Sequence, residues 1–226
     1  MTPTKDSSTT VPVTRSFSRR RATLLGAALV MGAMALLGEK PILAGGPGDD
    51  DGSLNDRIQA QDLVVCYAHG TDTLGVAVSA LGGQPLDSTV NLGDPKFAEG
   101  LAIYRGCFAK SFSFTLKFGG FTLLTVPDPA TRTPATDAAL EWANFVNNAF
   151  RGPGYQNTQH HMGSILGRVH GTSADVESYL IATHSLGGTA GVDRVGGTYF
   201  DHDIKVRGRW LIESRTLDIT SSVHIP

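Results

Sequence analysis

Residues 154–164, Gly-Tyr-Gln-Asn-Thr-Gln-His-His-Met-Gly-Ser, decide the fold because they join a helical segment to an alternating, strand-like run. Side chains alternate across a strand, so His160 and His161 must point to opposite faces of the sheet. One of the two therefore faces whatever the sheet encloses. We expect this to be His160, facing a concave pocket together with Asp72.

Strands are predicted on both sides of a helix. Upstream, Phe112–Phe118 alternates apolar and polar residues, and Phe121–Val126 follows the Gly119-Gly120 turn as the returning strand. Downstream, four strands are predicted at Thr158–Val169, Ala174–Leu186, Thr198–Val206 and Arg209–Ser221. Their turns are His170-Gly171-Thr172, the glycine-rich stretch Gly187–Gly197, and Arg207-Gly208.

Helices are predicted mainly before these strands. Leu54, Ile58, Val65 and Ala68 recur at helical spacing, and the next step of that stripe is Asp72. Residues 101–108 predict a short helix leading into a strand, and Thr73–Gly100 predicts a long loop. A further helix ends at Gly152, and its apolar stripe is Ala139, Trp142, Ala143, Val146, Ala149 and Phe150.

The order of elements predicts an α+β domain, in which helices pack on one face of a curved antiparallel sheet. We divide the chain into an export signal (1–44), a flexible linker (45–55) and one domain (56–226). The domain carries a loop insertion at about 75–100.

Register predicts which strand residues face each other. A turn around Thr172 without a bulge would pair residues whose numbers sum to about 344, placing His160 opposite His184. In the last hairpin, Arg215 would pair with Phe200. A bulge at Gly163 or Gly167 would shift the first pairing.

The N-terminus has the order of an export signal. Arg19-Arg20-Arg21 precede an apolar run at 22–37, and small residues at Ala44-Gly45 suit cleavage. The paired arginines resemble a twin-arginine signal. The alternative is a retained anchor, but the run is shorter than the ~20 residues that span a membrane. We therefore expect a periplasmic or secreted protein without a stable membrane anchor after cleavage.

Charge argues against a nucleic-acid partner. The chain has 19 basic and 21 acidic residues, and residues 1–44 carry six of the former and two of the latter. The remainder is thus acidic, with a net charge of −6. Cys66 and Cys107 could form a disulfide in an exported protein, but we favour two buried thiols.

His160 is the candidate for chemistry, because a histidine in an apolar pocket can take or give a proton. Asp72, on the core-facing stripe, would accept a hydrogen bond from the ring and fix its tautomer. The alternative is a structural strand histidine. His184 is either a second acid/base or a polar cross-strand neighbour.

Further side chains complete the predicted pocket. Tyr67 would donate its hydroxyl to a substrate oxygen, or else is a core tyrosine with its hydroxyl at the surface. Arg215 could neutralise an anionic substrate group, although we favour a surface charge. The residues that we expect to contact substrate are Phe112, Phe114, Trp142, Met162 and Arg215.

Other chemistries lack their motifs. The sequence has no Cys-x-x-Cys, no His-x-x-x-His, no Gly-x-Ser-x-Gly and no glycine-rich phosphate loop before a helix. We interpret Asp201-His202-Asp203 as solvated, and His69, His161, His170, His202 and His224 as exposed or loop residues. We expect neither a metal nor a cofactor.

Several motifs resemble the SnoaL-like branch of the nuclear transport factor 2-like superfamily, over residues 56–222. They are Tyr67-Ala68-His69-Gly70-Thr71-Asp72, Tyr104-Arg105-Gly106-Cys107-Phe108, Thr158-Gln159-His160-His161-Met162-Gly163, Ser178-Tyr179-Leu180 with Thr183-His184, and Gly208-Arg209-Trp210-Leu211-Ile212 with Arg215.

The resemblance implies a cone of three helices against a strongly curved sheet. Members of the branch include dehydratases, a dehydrochlorinase and polyketide cyclases. It implies a cofactor-independent lyase or isomerase that acts on a hydrophobic cyclic or aromatic molecule. Its His–Asp pair falls on His160 and Asp72, its helix tyrosine on Tyr67, and a second histidine on His184. The alternative function is an exported, non-catalytic binding protein for an apolar small molecule. The resemblance leaves a homodimer or homotrimer open.

Overall fold

A computed structural model describes residues 52–80, 93–151, 153–188 and 190–226. The predicted export signal, most of the linker, the middle of the predicted insertion and Gly152 lie outside these residues. The helices are α1 (Leu54–Ala80), α2 (Pro95–Cys107) and α3 (Ala138–Arg151). The strands are β1 (Phe108–Phe118), β2 (Phe121–Val126), β3 (Asn157–His170), β4 (Ser173–Ser185), β5 (Val192–Val206) and β6 (Arg209–Ile225).

The six strands form one sheet in the order β2-β1-β6-β5-β4-β3. Neighbours run antiparallel except β1 and β6, which run parallel, so the sheet is mixed rather than antiparallel as predicted. Three helices on a curved sheet confirm the predicted α+β cone. β2 has the predicted bounds, whereas β1 begins at Phe108, four residues before the predicted start. β5 begins at Val192, inside the glycine-rich stretch predicted as a turn.

The core-facing side of α1 differs from the predicted stripe. Leu54, Ile58 and Val65 are exposed. The buried face consists of Ala60, Leu63, Val64, Tyr67, Ala68, Thr71 and Leu74, so Ala68 is buried as predicted. Asp72 is adjacent to this face and is partly exposed. Of the four residues in the predicted stripe, only Ala68 therefore lies on the buried face.

The first helix is also longer than predicted. It continues to Ala80, and α2 begins at Pro95, where the Asp94 carboxylate accepts from the backbone N–H groups of Lys96 and Phe97. The predicted loop is therefore wrong at both ends, because residues 73–80 and 95–100 are helical.

Glycines within α1 allow close packing rather than ending the helix. A Cβ on Gly70 would lie 2.7 Å from the Tyr104 ring of α2. A Cβ on Gly75 would lie 1.9 Å from Cγ2 of Thr158 on β3. Real Cβ atoms do not approach other atoms so closely, so Gly75 brings α1 against the strand that carries His160.

The third helix covers the sheet as predicted over most of its length. Ala139, Trp142, Ala143 and Val146 are buried, and the Trp142 ring stacks on Phe114 of β1 at 3.7 Å between centroids. Ala149 is exposed, contrary to the predicted stripe.

A disulfide joins α1 to the end of α2. Cys66 and Cys107 are bonded, with their Cα atoms 6.1 Å apart and 41 positions between them in sequence. The preferred interpretation as two buried thiols was therefore wrong. In the described part of the chain, we find no helix that is both long and apolar enough to cross a membrane.

Candidate active site

An apolar cavity of about 180 Å³ lies between the concave face of the sheet and the helices. Phe114 and Trp142 form part of its wall, and Tyr67 and Thr71 reach it from α1. The imidazoles of His160 and His184 also line the cavity. A larger cleft of about 430 Å³ near Arg105 and Asp137 contains neither histidine.

A bulge in β3 turns His160 toward this cavity. Near the hairpin, Val169 pairs with Ala174 and Gly167 with Val176, and all four are buried. The register then shifts between Gly163 and Leu166, where Ser164 has a φ of 50°. The core-facing residues of β3 therefore have odd numbers on the hairpin side of the bulge and even numbers, including Thr158 and His160, on its N-terminal side.

The observed pairing differs from the predicted one by two positions: one arises at the turn, where Val169 pairs with Ala174, and the other at the bulge. His160 lies opposite Ala182, and Thr158 lies opposite His184. The two histidines are diagonal rather than direct neighbours, but they share the concave face. Their ring centroids are 5.9 Å apart.

Asp72 holds His160 through two hydrogen bonds. Nδ1 of the ring lies 2.7 Å from Oδ1, and the His160 backbone N–H donates to Oδ2 at 3.1 Å. The imidazole is 6% exposed and the carboxylate 28%. In the neutral ring, Nδ1 donates its proton to the ionised carboxylate, which leaves the lone pair on Nε2.

His184 is held in a different way. Its Nδ1 lies 2.7 Å from the Thr158 hydroxyl oxygen, and the residue is 5% exposed. Burial, followed by the neighbouring His160, lowers the pKa of His184 to about 4. His184 is therefore a neutral imidazole at pH 7.

Tyr67 is buried in the cavity wall, so its hydroxyl does not reach the surface. The guanidinium carbon of Arg215 lies 4.0 Å from the centroid of its ring. Burial raises the pKa of Tyr67, and Arg215 opposes that rise. The phenol therefore remains protonated and can act as a hydrogen-bond donor.

Arg215 is a core residue, not the surface charge that we favoured. It is 1% exposed, and its Nε donates to Oδ1 of Asp201 at 2.6 Å while Nη2 contacts Oδ2. A register shift between His202 and Asp203 causes the difference, because it pairs Arg215 with Asp201 instead of Phe200.

The Asp201-His202-Asp203 triplet is not solvated as predicted. Asp201 and Asp203 are 3% and 0% exposed, whereas His202 points outward and contacts Asp175. The two carboxylates share one face, as strand alternation requires, but that face is the core. Among the described residues, we find no cluster of three or more His, Cys, Asp or Glu that could hold a metal.

The residues expected to contact substrate divide into two groups. Phe114 and Trp142 line the cavity. Phe112 is buried against Phe108 at 3.6 Å between ring centroids, Met162 packs at the edge of the core, and Arg215 lies behind Tyr67. These last three do not line the cavity.

Sequence reasoning missed the contribution of two other tyrosines. Tyr199 lines the cavity beside Tyr67, with ring centroids 5.4 Å apart. Tyr155 stacks on His184 at 4.7 Å. The alternation of β5 could have indicated Tyr199, but Tyr155 precedes β3 and has no periodic signal.

Fold and site together define a cone-shaped α+β protein whose apolar cavity is lined by a histidine that contacts an aspartate. The chain belongs to the SnoaL-like domain family, which it matches over residues 104–216. A search of curated proteins finds no match.

Solved structures share the fold. A candidate aromatic ring hydroxylase from Novosphingobium aromaticivorans DSM is 17% identical, with a TM-score of 0.51 over 77% of this chain and 96% of that chain. The dehydrochlorinase LinA-type3 from Novosphingobium barchaimii LL02, which is named for hexachlorocyclohexane, is 13% identical, with a TM-score of 0.50 over 76% and 91%. At these identities, the likeness shows the fold alone.

Proposed function

We propose that the protein is a cofactor-independent lyase or isomerase that abstracts a proton from a hydrophobic cyclic or aromatic small molecule. The observation that carries the proposal is the contact between Asp72 and His160 at the wall of an apolar cavity. Membership of the SnoaL-like family agrees with it. The dehydrochlorinase named among the solved structures has this type of chemistry in its name.

His160 acts as the general base in this proposal. Nε2 takes a proton from a carbon next to an activating group, and the electrons of the broken C–H bond form a new double bond. In a lyase, a neighbouring leaving group departs with its bonding electrons, and Nε2 then gives the proton to that group. In an isomerase, the proton returns to another carbon. General base catalysis contributes on the order of 10²–10⁴ in rate.

Asp72 compensates the charge that this step creates. Its carboxylate lies against Nδ1, so the imidazolium formed on proton transfer is paired at once. The second hydrogen bond, from the His160 backbone, holds the carboxylate in place while the ring changes charge.

The cavity favours an uncharged substrate. Its walls are mostly aromatic and aliphatic, and the nearby cation, Arg215, is already bound to Asp201. An anion entering the cavity would lose its hydration without gaining a free cation. Tyr67 instead offers a neutral phenol that can donate to a carbonyl or departing oxygen.

The test compares two adjacent histidines on opposite faces of β3. The mature protein is purified, and co-purifying small molecules are identified by mass spectrometry and tested as substrates or as guides to them. His160→Gln should abolish turnover, whereas His161→Gln, which changes an exposed outer-face residue, should leave it intact. Equal turnover in both variants would refute the proposal.

The apolar lining also supports a second candidate, a binding protein that sequesters an apolar molecule without changing it. Turnover, measured beside binding of the neutral flat probe 2-naphthol, distinguishes the two. A binding protein would show ligand affinity in the absence of any turnover. His160→Gln would then leave all measurable function unchanged.

We also propose that the domain is exported by residues 1–44 and works in the periplasm or outside the cell. The disulfide between Cys66 and Cys107 supports this, because such bonds persist in oxidising compartments. Cell fractionation tests it: the protein should appear outside the cytoplasm, shortened at about residue 44. Substitution of Arg19, Arg20 and Arg21 by Lys should retain it inside.

A further inference from the structure

A row of polar side chains crosses the concave face one layer beyond His160. Thr158 on β3 pairs with His184 on β4, His184 pairs with Asp193 on β5, and Asp193 pairs with His224 on β6. Cross-strand partners share a face. The histidine end of the cavity is therefore bounded by this row.

Tyr155 lies over the row and is bound to it twice. Its hydroxyl donates to Oδ2 of Asp193 at 2.7 Å, and its ring stacks on His184 with an interplanar angle of 18°. The other oxygen of Asp193 lies 2.7 Å from Nδ1 of His224. Asp193 thus connects the tyrosine to the last strand.

The backbone around Tyr155 is tied down on both sides. The Tyr155 N–H donates to the carbonyl of Phe150 at the end of α3, and the Gln156 N–H donates to Ser185 at the end of β4. The Phe150 ring approaches both Tyr155 and His184, with centroids 6.2 and 5.1 Å away. The tyrosine is therefore held at its backbone, at its hydroxyl and, through Phe150, at its ring.

We propose that Tyr155 is a positioning residue for His184: Asp193 and His224 hold the tyrosine flat against the imidazole and so fix the ring that the cavity presents beside His160. The position of His184 does not depend on the proposed function, whereas its effect on turnover does. The Tyr155 hydroxyl, followed by His224, lowers the pKa of Asp193, so the hydrogen-bond acceptor in this clamp is an ionised carboxylate.

The ring contact has a spectroscopic signature. A proton of His184 that lies over the face of Tyr155 experiences the ring current of the tyrosine. The titratable groups whose charges act on the His184 imidazole are His160, Asp72 and Asp193. Its pKa of about 4, set mainly by burial, reports whether the imidazole is covered.

The experiment follows the His184 ring protons by NMR in ¹³C-labelled protein at pH 7, with assignment by His184→Gln. Tyr155→Leu should move the His184 resonances and raise the pKa from about 4 toward 6.5. Tyr155→Phe keeps the ring but loses the bond to Asp193, so it should give a smaller change of the same sign. Tyr179→Leu, on the exposed outer face of β4, is the matched control and should change neither.

Unchanged His184 resonances in Tyr155→Leu would overturn the proposal. Because Tyr155→Phe is nearly isosteric, it remains informative if the leucine variant does not fold. If turnover is established, Tyr155→Phe should lower kcat more than it raises KM, since it disturbs ring placement rather than the apolar walls. If His160→Gln does not abolish turnover, the proposed function is refuted. The effect of Tyr155→Leu on the His184 resonances would still support the positioning role of Tyr155.

Discussion

The Asp72 carboxylate receives two donors from one residue, the ring Nδ1 of His160 at 2.7 Å and its backbone N–H at 3.1 Å. The two residues are 88 positions apart in sequence, so tertiary packing alone brings them together. Two bonds from one residue restrict the rotation of both the carboxylate and the ring. The pair is therefore oriented before a substrate enters.

Asp72→Asn should show how much turnover depends on the negative charge of Asp72 rather than on its size. The amide keeps the size of the carboxylate but cannot balance an imidazolium, so turnover should fall by about 10²–10⁴-fold. The thermal midpoint should change little, because the Asp72 side chain is partly exposed. Steady-state kinetics and circular-dichroism melts measure the two effects. Turnover close to the wild type would contradict the role of the charge.

Gly75→Ala should loosen the same pair without touching it. The new methyl group would lie 1.9 Å from Cγ2 of Thr158, so α1 must move away from β3 and take Asp72 with it. We expect reduced turnover and a weaker hydrogen bond at Nδ1 of His160, seen as a shifted ¹⁵N resonance.

Thr158→Ser provides the rescue for this variant. Serine lacks the Cγ2 methyl group that causes the clash but keeps the hydroxyl that contacts His184. The double variant Gly75→Ala/Thr158→Ser should therefore recover the ¹⁵N resonance that Gly75→Ala shifted. An unshifted resonance in Gly75→Ala would contradict the prediction, because the methyl group would then be accommodated without moving Asp72 away from His160.

Stability should depend on pH through His184. Its pKa is about 4 when folded and 6.5 in the unfolded reference, so the unfolded chain binds more protons between these values. The contribution of neutral His184 is thus fully present above pH 6.5 and is lost as the pH falls through 4. The difference corresponds to at most about 3 kcal/mol. Urea unfolding from pH 4 to 7 measures it, and His184→Gln should flatten this part of the curve.

The fold was predictable where a periodic pattern and packing agree. Alternation in Phe112–Phe118 and the stripe on α3 gave elements that the structure contains. The length of α1 was not predictable, because Gly70 and Gly75 look like helix breakers in sequence. Their role depends on Tyr104 and Thr158, which are distant in the chain.

The site was harder because two bulges set its geometry. The shift between Gly163 and Leu166 decides which β3 residues face the cavity, and the shift at His202/Asp203 moves Arg215 into the core. Bulges add one residue to one strand and have no reliable local signal. His160 kept its predicted face because its pairing differed from the predicted one by two positions, an even number.

The disulfide should contribute measurably to stability. Cys66 and Cys107 lie 41 positions apart, and closing a loop of this size stabilises a protein by about 2–4 kcal/mol relative to the open unfolded chain. Cys66→Ser/Cys107→Ser should lower the unfolding free energy by this amount. Adding a reductant should destabilise the wild type and leave the double variant unaffected. Identical unfolding curves would mean that the bond is absent in solution.

The Arg215–Asp201 pair should be the most sensitive charged contact in the core. Both side chains are completely buried, so Arg215→Met leaves Asp201 without its cation and should cost about 3–5 kcal/mol in urea unfolding. Replacing both partners, in Arg215→Met/Asp201→Leu, should restore part of that loss because no isolated charge remains.

Replacement of Asp203, unlike replacement of Arg215, should not destabilise the protein. Its two oxygens have no hydrogen-bond partner among the described residues, and burial, followed by Asp201, raises its pKa well above the usual value. The folded protein therefore holds a proton there that the unfolded chain releases above about pH 4, so the wild type loses stability as the pH rises. Asp203→Asn removes this ionisation and should be at least as stable as the wild type at pH 8. A loss of stability in Asp203→Asn comparable to that in Arg215→Met would show that the Asp203 carboxyl is ionised and paired in the core.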